Sequence, residues 1–320
     1  MNVLVIIDHE GGTVTELGRQ ALTLARRLAE QLKVAVEGVV IGDGGVTVTL
    51  GTAVDSVHSV VHPVLTDYAP AAWGEAICQL MTAETPAAVV ASGGDRGNEV
   101  LAHVAASTDL PMVANVTEVE GSDGGWRLVR VRWGGSLLEE TELSAPVKLL
   151  SASAHGFPAA NLSGGTSTVT EFLPELDEGH VTTRVAERVT REEGITLTTA
   201  SVVVSGGRGV GGPGGFEPLE ELASLLGGAV GCSRVVTNNG WRPHSDQVGQ
   251  TGSRVAPDLY IACGISGAIQ HWVGMMASKK ILAVNTDADA PMVTKADYAV
   301  IGDVAEIVPA IVAEIRSRRA

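Results

Sequence analysis

Four groups of polar residues, each placed where an apolar run ends, are the part of this chain that could do chemistry. Arg208 follows Ala200–Ser205 in the stretch SGGRG. Ser266, Gln270 and His271 follow Leu259–Cys263 in GISGAIQH. Asn285 and Asp287 close the run Lys280–Asn285, and Asp303 follows Tyr298–Gly302. A turn-rich segment, Gln247–Ser253, precedes the second of these and is able to fold over the others. Strand ends that deliver polar groups to one edge make a better site than any single residue. The groups include a fixed cation between glycines, an imidazole and the start of a helix, and helix starts expose unpaired N–H groups that attract phosphate or another anion. Each residue also has a plainer role. Ser266 suits an N-cap, Asn285 and Asp303 suit strand-end turns, and His271 suits a satisfied buried histidine.

The surrounding pattern predicts the elements that position these groups. Asn2–Ile7, a helix over Thr15 to Leu32 and Val34–Ile41 read as β-α-β, which implies parallel strands with a right-handed crossover. The rhythm continues with strands at Val57–Val61 and Ala87–Ala91 and helices at Pro70–Met81 and Asn98–Ala106. Between Ala91 and Asn98 lies the turn SGGDRG, which suits either a phosphate or a simple change of direction. Met112–Val119, Arg127–Trp133 and Lys148–Ala154 follow with little room for helices, so antiparallel additions or paired edge strands are expected. Beyond 200 the alternation resumes: a helix at Pro218–Leu226, a short strand near Ser233–Val236, a helix opening at Gly267–Trp272 and a last helix at Val304–Arg316. The fold class is α/β in two domains. Residues 1–190 are expected to form a domain with a mixed, mainly parallel sheet, and 191–320 a doubly wound parallel sheet, joined by a charged connection around 185–198. In such sheets ligands lie at the carboxyl ends of strands.

Composition narrows the function. The net charge of −15 and 3% aromatic content argue against nucleic acid and anionic membrane, which want basic and stacking surfaces. The acidity is concentrated: residues 1–199 carry a net −14 and the rest −1. Cys78, Cys232 and Cys263 show no paired spacing, which fits a reducing cytoplasm and neither a disulfide scaffold nor a zinc site. The opening MNVLVIIDHEGG reads as a strand and not as a targeting segment, and no apolar run approaches the roughly 18 residues of a membrane span. Gly209, Gly211 and Gly214 match G-x-G-x-x-G weakly, with Pro213 inside and no acid about twenty residues on after a convincing strand. P-loop and G-x-S-x-G patterns are missing.

Taken together, SGGRG at 205–209, GCSR at 231–234, QVGQTG at 247–252, PDLYIACGISGAIQH at 257–271, AVNTDADAP at 283–291 and ADYAVIGD at 296–303 resemble the alpha (large) subunit of electron-transfer flavoproteins. The motifs stand in that family's order and cover the second domain; the first is similar in its α/β pattern only. The resemblance implies an electron carrier without substrate turnover of its own, a cytoplasmic heterodimer with a smaller beta subunit. One FAD would sit mainly in the second domain and a structural AMP in the beta subunit, and the first domain would be of the adenine-nucleotide-hydrolase type and make partner contacts. Electrons would come from acyl-CoA dehydrogenases of fatty acid beta-oxidation and pass to a membrane quinone oxidoreductase. By matching position, FAD contacts would be Arg208, Ser233, Val248, Gly249, Gln250, Thr251, Ser266, Gly267, Ala268, Ile269, Gln270, His271, Asn285 and Asp303. Thr251 would lie near flavin N5 and His271 near the C2 carbonyl. The family continues past Arg208–Gly209 with a less glycine-rich segment than the VGGPGGFEP found here. Competing readings are a nicotinamide-dependent oxidoreductase on the same doubly wound domain, and an adenine-nucleotide module centred on SGGDRG.

Overall fold

A computed structural model describes residues 1–42, 50–121, 125–135, 137–162, 165–186 and 195–319. Two compact units divide the chain, Met1–Val189 and Thr190–Ala320. Most of the expected connection over 185–198 lies outside the described residues.

The first unit runs β1 (Asn2–Ile6), β2 (His9–Glu10), β3 (Thr13–Val14), α1 (Glu16–Leu32), β4 (Ala35–Ile41), β5 (Ser56–Val60), α2 (Pro70–Glu84), β6 (Ala88–Ser92), α3 (Asp95–Thr108), β7 (Met112–Glu120), β8 (Trp126–Arg132), β9 (Leu137–Leu143), β10 (Lys148–Ala152) and β11 (Thr168–Phe172). Its nine-stranded sheet is ordered β11-β5-β4-β1-β6-β10-β7-β8-β9, with the small β2–β3 hairpin apart. Strands β1, β4, β5, β6, β10 and β11 pair in parallel, and β7–β8 and β8–β9 pair antiparallel. The sheet is mixed and mainly parallel, as its β-α-β pattern predicts. One expectation is corrected. Lys148–Ala152 is not an antiparallel or edge addition: β10 inserts between β6 and β7 and pairs in parallel with both. Its run KLLSA is buried from the second residue on, which suits an interior strand covered on both faces.

Helix α1 forms because its apolar positions recur on one face and Thr15 caps it, its hydroxyl accepting from Gly18 N at 3.0 Å. Leu22, Leu24 and Leu28 are fully buried against the sheet, each stabilising by about 1.5–3 kcal/mol relative to exposure. Helix α2 covers the other face with Ala72, Ala76, Ile77 and Leu80. The charged strand β9 (LLEETEL) gives little sequence signal; Glu139 pairs opposite Arg130 in the ladder and takes two hydrogen bonds from it, at 3.0 and 3.1 Å.

Two side-chain hydrogen bonds brace the SGGDRG turn. Asn98 Nδ2 donates to Gly93 O at 3.1 Å, and Ser92 Oγ donates to Asp8 Oδ2 at 3.3 Å.

The second unit runs β12 (Val202–Gly206), α4 (Glu217–Leu226), β13 (Ala229–Cys232), α5 (Arg234–Asn238), β14 (Leu259–Cys263), α6 (Ile269–Met275), β15 (Lys280–Asn285), α7 (Pro291–Lys295), β16 (Tyr298–Ile301) and α8 (Val304–Arg319). All five strands are parallel, in the order β13-β12-β14-β15-β16. Two local expectations are corrected. Ser233–Val236 is not a strand; β13 ends at Cys232, and the β-branched pair Val235–Val236 belongs to α5. Helix α6 opens at Ile269, with Ala268 as cap and not Ser266. Gly267 holds φ +83°, and a Cβ there would stand 2.7 Å from Met292 Cα, so the chain stays out of the helix until it has passed α7.

Candidate nucleotide-binding site

The strand order of the second unit fixes where a ligand crevice must be. From β12 the chain moves outward to β13, then returns across the sheet to β14 on the other side of β12. The connections therefore diverge between β12 and β14, and their carboxyl ends open a crevice. The loops leaving these two strands carry SGGRG and GISGAIQH.

Main-chain contact between glycines holds the two loops together. Gly207 N donates to Cys263 O at 2.8 Å and Gly209 N to Gly264 O at 3.0 Å. A Cβ on Gly209 would lie 2.7 Å from Gly264 Cα, and one on Gly207 would overlap the Gly264 carbonyl oxygen. A second such contact seats the covering loop: Gly249 meets Gly274, and Gln250 N donates to Gln270 O at 2.7 Å. Of the weak G-x-G-x-x-G match only Gly209 makes such a contact. Around Gly211 and Gly214 a Cβ would meet nothing within 4 Å. The end of β13, where a ribose-binding carboxylate would stand, carries Ser233 and Arg234 instead.

Beyond Gly264, whose N–H donates to Val284 O at 2.8 Å, the backbone leaves donors free. Among the described residues the amides of Ser266, Gly267, Ala268, Ile269 and Gln270 have no acceptor, and the ladder of hydrogen bonds resumes at His271 N, which donates to Ala268 O at 2.9 Å. Five successive N–H groups at a sheet's switch point form a concentrated anion-binding surface.

Side chains complete the rim. Arg208 is exposed at the end of β12, and among the described residues its guanidinium has no hydrogen-bond or ion-pair partner. Ser233 follows β13 and its hydroxyl does not cap α5. Val248 is buried and anchors the covering loop through its N–H to Cys232 O at 2.9 Å. Gln250 and Thr251 are exposed at the loop's tip. Asn285 turns inward: its Nδ2 donates to Ile265 O at 3.0 Å and its Oδ1 accepts from Asp287 N at 3.1 Å, bracing the β14 loop. Asp303 caps α8, accepting from Ala305 N at 2.9 Å. Both therefore have structural partners, as their positions at strand ends suggest.

His271 stands apart from the exposed groups. It is 7% exposed, its Nε2 lies 2.9 Å from Tyr260 Oη, and the Val248 backbone stands against its buried Nδ1. Burial pulls its pKa from 6.5 down to about 4, with the Val248 backbone opposing, so the ring is neutral at pH 7. A ligand facing His271 thus meets a neutral imidazole and not a charge. Tyr260 is fully buried, and burial raises its pKa, so the phenol keeps its proton. Cys232 and Cys263 end the neighbouring strands; burial pushes both up to about 12, so they pack as apolar groups.

Two site residues went unmarked in the sequence reading. Gln247, 2% exposed, accepts from Thr237 Oγ1 at 2.9 Å and donates from Nε2 to Thr251 Oγ1 at 3.0 Å. That leaves the Thr251 hydroxyl proton free to point out of the loop. Tyr260 orients His271. The signal for each was a large polar side chain inside an otherwise buried stretch.

A parallel sheet in the order 2-1-3-4-5, with free amides and a fixed cation at its switch point, defines a nucleotide-binding α/β protein. The family model described as "Electron transfer flavoprotein FAD-binding domain" matches residues 196–276, and that described as "Electron transfer flavoprotein domain" matches 3–176. An electron transfer flavoprotein subunit alpha of Thermoanaerobacterium thermosaccharolyticum is 31% identical, the alignment covering 98% of each chain. The subunit alpha of Mycobacterium leprae is 32% identical over 99% of this chain and 98% of that one, and a probable mitochondrial subunit alpha of Caenorhabditis elegans 33% over 98% and 93%. The chain belongs to the electron transfer flavoprotein alpha-subunit family. Among the described residues, no helix is long and apolar enough to cross a membrane.

Proposed function

We propose that this chain is the FAD-carrying subunit of a two-subunit electron carrier, with the nucleotide in the crevice between β12 and β14. The observation that carries the reading is the run of amides from Ser266 to Gln270, without acceptors among the described residues, beside the Arg208 guanidinium, which has no partner among them either. The buried, neutral His271 ring under the covering loop is a further fit, since it brings a polar group and no charge to the crevice. The amides bind a pyrophosphate or ring carbonyl. Arg208 places a permanent positive charge at the rim. Thr251, held by Gln247, presents a hydroxyl proton, and His271 offers a neutral imidazole from within. Val248, Gly249 and Gln250 shape the cover; Asn285 and Asp303 hold the loops that form the walls. FAD, when bound, supplies the redox chemistry, and the protein supplies binding and electrostatics.

On this reading the subunit turns over no substrate of its own. It pairs with a beta subunit holding AMP, receives electrons from acyl-CoA dehydrogenases and delivers them to a membrane quinone oxidoreductase, in the cytoplasm. The strongly acidic first domain, 1–190, makes partner contacts, and the second domain, 191–320, holds the cofactor. The test is the visible spectrum of the chain co-expressed with a beta subunit. A flavin spectrum with one FAD per heterodimer is the expected result. A colourless heterodimer that takes up no added FAD would refute the proposal.

A further inference from the structure

One cluster of ionisable groups lies in the first unit and plays no part in the crevice. Register pairs Leu4 with Glu37, Glu37 with Ser56 and Val39 with His58. Glu37 and His58 therefore share the sheet face that holds Leu4, Val39 and Val60, which is packed by Ile77, Leu80 and Met81 of α2. Glu84 ends that helix, where Thr85 closes it in the left-handed conformation. One ligand atom from each of Glu37, His58 and Glu84 lies within 4.8 Å of the other two. His58 Nε2 is 2.7 Å from Glu37 Oε2, and the histidine is only 8% exposed.

A second observation falls on the same face. Asn2 pairs with Ala35, two residues before Glu37, and is 6% exposed. Its Oδ1 is buried and, among the described residues, has no hydrogen-bond partner. An orphaned carbonyl oxygen costs about 1–3 kcal/mol, and the residue two along the paired strand, on the same face, is the Glu37 carboxylate. Two carboxylates and an unsatisfied amide oxygen share this face with the imidazole, and among the described residues no Lys or Arg pairs with them.

We propose that Glu37, His58 and Glu84 form a site for a divalent transition-metal ion of the zinc class, with a water in the fourth position and Asn2 Oδ1 placed to accept from it. One nitrogen and two carboxylate oxygens suit zinc better than calcium, which takes six to eight oxygens. Bond lengths of about 2.0–2.2 Å set donors around a tetrahedral ion about 3.3 Å apart. The three groups reach that spacing by side-chain rotation, with Glu84 at a helix end and the Glu37–His58 hydrogen bond opening as the ion enters. The ion ties the end of α2 to β4 and β5, so it stabilises the first unit and takes no part in electron transfer.

The test strips the full-length chain with EDTA and titrates it with zinc chloride by calorimetry, with calcium chloride in parallel. The expected result is one zinc per chain, a raised melting temperature and no calcium uptake. Glu84→Gln, which leaves the Glu37–His58 bond intact, weakens zinc binding about 100-fold, since even supporting groups are worth 10- to 100-fold. A variant of the half-buried His180, which lies outside the cluster, leaves it unchanged. No stoichiometric zinc uptake, calcium taken up in place of zinc, or binding unaltered in Glu84→Gln would each overturn the assignment and leave a plain histidine–glutamate pair.

Discussion

Neutral His271 makes the second unit acid-labile, and the effect has a calculable size. Its folded pKa of about 4 lies below the ordinary 6.5, so the unfolded chain binds the extra proton first. The contribution to stability is complete above pH 6.5 and is lost as pH falls towards 4. At pH 5 the unfolded imidazole is almost fully protonated and the folded one is about one-tenth protonated. Linkage then gives a loss of about 2 kcal/mol between pH 7 and pH 5. For a unit of this size that is a fall in melting temperature of about 6–10 °C. The assay is calorimetric melting of the flavin-free chain at pH 7, 6 and 5, alongside His271→Gln, whose amide occupies the same region without titrating. The carboxylates titrate alike in both proteins, so the difference between the two slopes isolates the imidazole. Parallel slopes would show that water reaches the ring and that it is not held neutral by burial.

Two further outcomes follow from the loop contacts. Gly207→Ala puts a methyl group onto the Gly264 carbonyl and destabilises by about 1–3 kcal/mol, with loss of flavin retention on gel filtration; full retention at an unchanged melting temperature would mean that the two loops part freely. Gln247→Leu removes the hydrogen bonds to Thr237 and Thr251, costing about 1 kcal/mol each, and weakens FAD binding by equilibrium dialysis; a stability loss with unaltered FAD affinity would detach Thr251 from the cofactor.

The sequence revealed alternation and chemistry better than neighbourhood. The β-α-β rhythm and the strands that end in SGG, CG and IGD were legible because buried parallel strands are continuous apolar runs bounded by glycine. Lys148–Ala152 looked like one more short strand after two hairpin arms. Nothing in five residues reveals that they return to the middle of the sheet. Val235–Val236 read as strand because two β-branched residues favour it; the turn after Cys232 and packing of Val236 in the core decide for helix. Arg208 and the start of the GAIQ segment stood out by type and spacing, and Thr251 only through the family resemblance. The partners of His271 did not, since Tyr260 lies eleven residues upstream and only the fold sets their side chains at hydrogen-bond distance.

The place of β10 also bears on how the first unit comes to exist. The chain lays down β7, β8 and β9 before the strand that joins them to β6, and β11 must then cross to the opposite edge to pair with β5. Until residue 152 has left the ribosome the antiparallel arm has no parallel neighbour, and until residue 172 the β5 edge is bare. Pairings of such long sequence separation close slowly and leave apolar strands open to the wrong partners. The unit's nascent form is therefore the stage at which most of its apolar strand edge stands unpaired.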